Sequence, residues 1–390
     1  MSKSTPPPVF ATAVPATSVS APSLPAYPVP GQTSHFADLV AAARLDEEAA
    51  RRFLGSHSWP AGLQETLLRG LRAAPLRFFL LDDSGSMVIE DGHRVLAAGT
   101  RSVTVSCSRW AELGESVNFF AGLASAARAA TEFRFLNREE PLLVGANTAD
   151  SEANLRRLLA ALQLPPSGGT PLCYHIAEIV ERVRSVEHVL RRLGQRAVVV
   201  IATDGEPSDG DMARAMKALE RLPVWVVVRL CTDNSDVTEF WNQVDADLEL
   251  DLDVLDDLAG EAAEVAGHNP WLTYAQPMHR LREFGVPLRE LDLLDERRLG
   301  VEEMRTVLAD MYRNSSMNLS LNSVRFGGSS ESFPHPDLGW DSFEDSVRLA
   351  NAREGRVWNP HLRKPADWVS VTLLRHAYGP KDVCSKCSLS

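Results

Sequence analysis

The sequence predicts an α/β protein: a doubly wound, mostly parallel sheet, with a small helical module before it and a mainly helical extension after it. Three observations carry this reading. The runs "LRFFLL", "RAVVVIAT" and "PVWVVVRL" are almost unbroken in apolar residues, as strands covered on both faces are. Amphipathic stretches of helical period stand between them. Short clusters rich in Asp, Ser, Thr and Gly fall at or near strand ends, where open parallel sheets place their ligands.

The bulk properties narrow the class. Of 390 residues, 44% are hydrophobic and 24% charged, ordinary values for a globular protein. No apolar run approaches the roughly 20 residues that span a bilayer, and the N-terminus lacks the basic-then-apolar layout of a secretory signal. A net charge of −12 argues against free nucleic acid, whose phosphates want a basic face. Much of that charge is local: Asp236 to Glu264 holds eleven acidic residues and no Lys or Arg. The five cysteines, Cys107, Cys173, Cys231, Cys384 and Cys387, are too sparse and odd in number for a disulfide framework, so a reducing, cytoplasmic compartment is expected.

Residues 1–34 are rich in Pro, Ser, Thr, Ala and Val, with Lys3 the only charge, and read as a disordered arm. A plastid transit peptide has a similar composition; a mitochondrial presequence would need arginines. Residues 35–74 change character, and three short helices are expected over 35–72. Apolar residues recur at helical spacing (Leu39, Val40, Ala43; Ala49, Phe53; Leu63, Leu67, Leu71). Asp46, Glu47 and Glu48 suit a helix start, and Pro60 stands where another begins. "DEEAARRFLGSHSWPAGLQETLL" resembles the UBA-like module through Ala50, Arg51, Phe53, Leu54, Trp59, Leu63 and Leu67. Gln64 and Glu65 depart from that pattern, and a helical cap packed on the next domain is the competing reading. The resemblance implies ubiquitin as a ligand.

Residues 75–235 alternate strand and helix. "RWAELGESVNFFAGLASAAR" places Trp110, Leu113, Val117, Phe120 and Leu123 on one helical face; "TEFRFL" is a second strand; "SEANLRRLLAAL", "PLCYHIAEIVERVRSVEHVLRRL" and "DMARAMKALERL" are helices. From 236 to 378 the alternation stops. Trp241, Val244, Leu248, Leu252 and Leu255 follow a helical stripe, and "HRLREF" and "GVEEMRTVLADMY" read as helices, so a helical acidic extension docked on the sheet is expected. "LNSVRFGGSSESFPHPDLG" is loop-like, and 379–390 reads as a flexible tail.

The chemistry gathers in three clusters. Asp82, Ser84 and Ser86 follow "LRFFLL"; Thr170 lies in "PPSGGTPL"; Asp204 follows "VVVIAT". Two carboxylates and three hydroxyls, with no His or Cys, suit Mg²⁺ or Mn²⁺ rather than zinc or copper. Glycines beside them let the backbone turn closely. Two carboxylates only neutralise a divalent ion, so its shell is left to water or to an outside Asp or Glu. Asp83 is expected to aim away from Asp82 and not to be a ligand.

This ordered set resembles the von Willebrand factor A domain and its metal-ion-dependent adhesion site: Asp-x-Ser-x-Ser, a Thr in a Gly-Gly-Thr loop, then Thr-Asp-Gly. The resemblance spans residues 75–235 and implies a Rossmann-like sheet. It implies direct coordination of one Mg²⁺ or Mn²⁺ by Ser84 and Ser86, with Thr170, Asp82 and Asp204 binding directly or through water. It also implies a partner protein whose carboxylate completes the shell. The stretch "VIEDGHRVLAAGTRSVTVSC" is long for a strand-to-helix connection and is expected to form a flap or hairpin bordering that site.

Other chemistry is weaker. "DDSGSM" is not a Gly-x-Ser-x-Gly nucleophile elbow, and His175, the one base near Thr170, lies in a helix among apolar neighbours. A metal-assisted phosphoesterase would need a second metal or a base. "DADLELDLDVLDD" has Leu250 and Asp256 where a calcium loop needs Gly and Glu, and reads as a solvated acidic helix face. The ending "VCSKCSLS" has the form of a prenylation signal at Cys387, with Cys384 as a second acyl site; membrane association follows only if Cys387 is lipidated. Half a zinc site, Cys384-x-x-Cys387, which needs two more ligands with His361 and His376 the nearby offers, and a plain tail with two thiols are the alternatives. The sequence therefore points to a non-enzymatic, metal-dependent scaffold, with a metal-assisted hydrolase and a ubiquitin-binding adaptor as alternatives.

Overall fold

In the computed structural model the described residues are 44–98, 101–138, 140–232, 234–312 and 335–380. Helices α1 (Glu47–Ser56) and α2 (Ala61–Ala73) come first. The Asp46 side chain accepts from Ala49 N at 2.9 Å, and Glu47 and Glu48 fill the first turn, where carboxylates meet the positive end of the helix dipole. Pro60 stands directly before α2. The expected helix ahead of α1 lies outside the described residues, as do the arm, residues 313–334 and the tail with Cys384 and Cys387.

The sheet region runs β1 (Leu76–Leu81), β2 (Gly92–Ala98), β3 (Arg101–Cys107), α3 (Arg109–Ala127), β4 (Thr131–Phe135), β5 (Leu142–Val144), α4 (Ser151–Ala161), α5 (Leu172–Leu193), β6 (Ala197–Thr203), α6 (Met212–Met216), β7 (Val224–Leu230), α7 (Ser235–Ala246) and β8 (Leu252–Leu255). Six strands pair in the order β5-β4-β1-β6-β7-β8. All neighbours are parallel except β4 and β5. Strands β2 and β3 form a separate antiparallel hairpin, as expected of the long insertion.

The two-residue period of a strand sorts β1 between two cores. Leu76, Phe78 and Leu80 pack with Ile176, Ile179 and Val183 of α5 and Met216 of α6. Phe79 and Leu81 face the opposite layer, with Val117, Phe120 and Ala124 of α3. The helices that follow β1 and β6 thus cover opposite faces, although the strands are adjacent. That is the topological switch point, and the crevice between their carboxyl ends is where such sheets bind ligands.

One expectation is corrected here. The helical stripe from Trp241 to Leu255 breaks after Ala246, and Leu252–Leu255 is the edge strand β8, paired in parallel with β7. The sheet therefore runs past residue 235. Leu and an acidic residue alternate from Leu248 to Asp253, so the stretch fits a two-residue period as well as the helical one, and pairing with β7 decided between them. Nor are its acids all solvated. Asp253 and Glu261 are buried against Arg282, at 2.9 Å and 2.6 Å, with Asp295 at 3.0 Å.

The remaining elements are α8 (Leu258–His268), α9 (Gln276–Glu283), α10 (Arg289–Glu296), α11 (Val301–Tyr312), α12 (Trp340–Glu354), a small hairpin of β9 (Arg356–Asn359) and β10 (Lys364–Asp367), and α13 (Val371–Tyr378). Their apolar faces extend the α3 core rather than forming one of their own. Phe284 stacks on Phe120 at 5.0 Å and meets Phe79 at 5.9 Å. The N-terminal helices join the same core: Trp59 stacks on Phe119 at 5.8 Å, and Leu63, Leu67 and Leu71 are buried. Thr66 Oγ1 donates to the Asp310 carbonyl at 3.3 Å, and Arg69 pairs with the Asp310 carboxylate. No helix among the described residues is long and apolar enough to cross a membrane.

Candidate metal centre at the carboxyl edge of the sheet

Strand β1 delivers Asp82 and β6 delivers Asp204, each on the residue after the strand ends, on either side of the switch-point crevice. Asp82 is fully buried. Its Oδ1 accepts from Ser84 N at 2.9 Å, which folds the chain into an Asx turn, and its Oδ2 accepts from Thr203 Oγ1 at 2.6 Å. Ser84 Oγ and Ser86 Oγ lie 3.0 Å apart, and Ser86 Oγ donates to Asp204 Oδ1 at 2.8 Å. Four of the five expected residues thus form one hydrogen-bonded string. Burial, and secondarily the Asp204 charge, push the Asp82 carboxyl up, against the hydrogen bonds from Thr203 and Ser84 that pull it down.

The loop that carries Thr170 meets this string through the backbone of Ser167 and Gly168, while the bonds of Thr170 itself go to Ser208 and Leu172. Gly85 N donates to the Gly168 carbonyl at 3.2 Å, and Ser167 N to the Asp83 carbonyl at 2.6 Å. Thr170 N donates to Ser208 Oγ at 3.0 Å, while its carbonyl accepts from Ser208 N and Leu172 N, both at 2.9 Å. Gly168 has φ +111°, and a Cβ there would lie 2.3 Å from Asn137 Oδ1, so the loop can run this close to its neighbour only with glycine.

Asp83 turns to other partners. Its Oδ1 accepts from Asn137 N at 2.9 Å and Nδ2 at 3.0 Å, and its Oδ2 pairs with Arg138 at 3.0 Å. It fastens the loop after β4. His175 is buried, with Nε2 3.1 Å from the Leu136 carbonyl, and burial holds its pKa below the usual imidazole value.

Sequence reasoning missed Arg109. This first residue of α3 is buried, with Nη1 2.8 Å from Asp204 Oδ2 and the rest of the fork on Asp91 at the root of the β2–β3 hairpin. A signal for it existed. An arginine in the first turn of a helix stands at the wrong end of the dipole, so a specific anionic partner is to be expected.

The donor set fits a hard divalent cation. Two carboxylates and two hydroxyls lie along one hydrogen-bonded string, with no sulfur or imidazole among them, and both carboxylates are buried, Asp82 at a cost that a cation would offset. Among the described residues, no group of three or more His, Cys, Asp or Glu side chains is placed to hold a metal ion. A site here would lean on its hydroxyls. Comparison with models of protein families gives no match, and comparison with curated protein sequences gives none.

Proposed function

We propose that this protein is a metal-dependent interaction scaffold. In this reading Asp82, Ser84, Ser86, Thr170 and Asp204 hold one Mg²⁺ or Mn²⁺, and a carboxylate from a partner protein completes the shell. The observation that carries it is the hydrogen-bonded string Asp82–Ser84–Ser86–Asp204 at the crevice between β1 and β6. The ion supplies a hard Lewis-acid site that takes an Asp or Glu oxygen. The chain's own work is positional. The Asx turn fixes Ser84 behind Asp82, Thr203 orients the Asp82 carboxylate, and Asp83 anchors the adjoining loop through Asn137 and Arg138.

The test is Mn²⁺ titration of the full chain, read by the EPR signal of the free ion, followed by partner capture in Mg²⁺ and then in EDTA. The parent and Asp83→Asn are expected to take up about one Mn²⁺, and Asp204→Asn to lose it. A partner set that EDTA leaves unchanged, or an Asp204→Asn variant that binds as the parent does, would overturn the proposal.

A further inference from the structure

Arg109 divides its guanidinium between two carboxylates. Nε and Nη2 donate to Asp91 Oδ1 and Oδ2 at 2.7 Å and 2.5 Å, a bidentate pair, and Nη1 donates to Asp204 Oδ2 at 2.8 Å. The other Asp204 oxygen accepts from Ser86 Oγ. Asp91 directly precedes β2, so it moves with the hairpin; Asp204 belongs to the candidate metal centre. The guanidinium and any divalent ion would therefore share one carboxylate.

We propose that Arg109 is an internal counter-cation that sets the metal affinity of this centre, and that Asp91 sets how strongly Arg109 opposes the ion. The inference rests on the metal reading above. The physical basis is simple. A fixed positive charge hydrogen-bonded to Asp204 repels a divalent ion at the neighbouring oxygens, and the low-dielectric surroundings of a buried group strengthen that repulsion. Asp91 offsets it, because its own charge neutralises the guanidinium and draws two of its three bonded nitrogens toward the hairpin. Linkage makes the coupling reciprocal: an ion that weakens the Arg109–Asp204 bond shifts Arg109 toward Asp91, and so tightens the root of the hairpin.

The experiment uses the full chain and Mn²⁺ alone, with free-ion EPR as the readout. Arg109→Gln is expected to bind Mn²⁺ on the order of tenfold more tightly than the parent, and Asp91→Asn several-fold more weakly. The double variant is expected to match Arg109→Gln, because Asp91 acts through Arg109. Arg109→Lys keeps the charge and should stay near the parent; together with Asp91→Asn it carries the test if Arg109→Gln does not fold. Equal affinities for parent and Arg109→Gln would overturn the inference alone. So would an Asp91→Asn effect of the same size in both backgrounds, or an Arg109→Lys variant as tight as Arg109→Gln. A parent that takes up no Mn²⁺ at millimolar concentration would overturn the metal reading and this inference together.

Discussion

Asp82 and Asp83 are adjacent carboxylates with separate duties, and the pleat of the strand that precedes them is the reason. Their separation was legible from the sequence, because "LRFFLL" requires a strand whose alternation carries on into the loop. The Asp82–Ser84–Ser86–Asp204 string was legible as a set of residue types in the right order, though not as a bonded chain. Thr203 was missed because a threonine closing a buried strand looks like packing. Its hydroxyl is in fact one of the two groups that satisfy the buried Asp82 carboxylate. Thr203→Val keeps the shape and removes the donor, and is expected to cost about 2 kcal/mol in urea unfolding. A variant as stable as the parent would mean that water replaces the hydroxyl. Arg109 and Asp91 were invisible as a pair because nothing local joins a helix start to a hairpin root.

Helices and central strands were the most readable elements, since each repeats its period over several turns or pleats. The failures came where a stretch was short. The three-residue edge strand β5 and the four-residue β8 owe their existence to a neighbouring strand, not to their own pattern. The turn after α9 shows how closely elements approach. Gly285 has φ +71°, and a Cβ there would lie 2.2 Å from Val198 Cγ1 of β6. Gly285→Ala is therefore expected to cost about 3 kcal/mol or more, measured by thermal or urea unfolding. The acid cluster around Arg282 makes a second prediction at this scale. Burial, reinforced by Asp253, pushes the Asp292 carboxyl on α10 from 3.8 up to about 7. The folded state then binds more protons than the unfolded one between those values. This group's contribution is fully present below pH 3.8 and is lost as the pH rises through 7. The parent should lose stability from pH 5 to pH 8, and Asp292→Asn should flatten that slope. The variant should be more stable by about 1 kcal/mol at pH 8, a figure discounted for the partial exposure of the side chain. Parallel slopes for the two proteins would count against the assignment.

At the scale of the whole molecule, the sequence suggested separable parts, because composition changes abruptly near residues 35, 75 and 236. Composition does not reveal which apolar faces meet. The core around α3 takes Trp59 and Leu67 from the N-terminal segment, Phe79 and Val200 from the sheet, and Phe284 and Leu308 from the last third of the sequence. Unfolding should therefore be followed equally well by far-UV circular dichroism and by tryptophan fluorescence, with one midpoint. Trp59→Ala should move both probes together by about 3 kcal/mol. Two separated transitions would instead define an independently folding N-terminal module. The contact of Thr66 and Arg69 with Asp310 carries this into the cell. On a ribosome adding about 5–20 residues each second, α2 emerges tens of seconds before α11 exists. Throughout that interval the face of α2 that α11 covers lacks its final partner. The nascent chain must carry a partly uncovered greasy helix until residues 301–312 are made, which makes it a natural client for a chaperone that binds during synthesis.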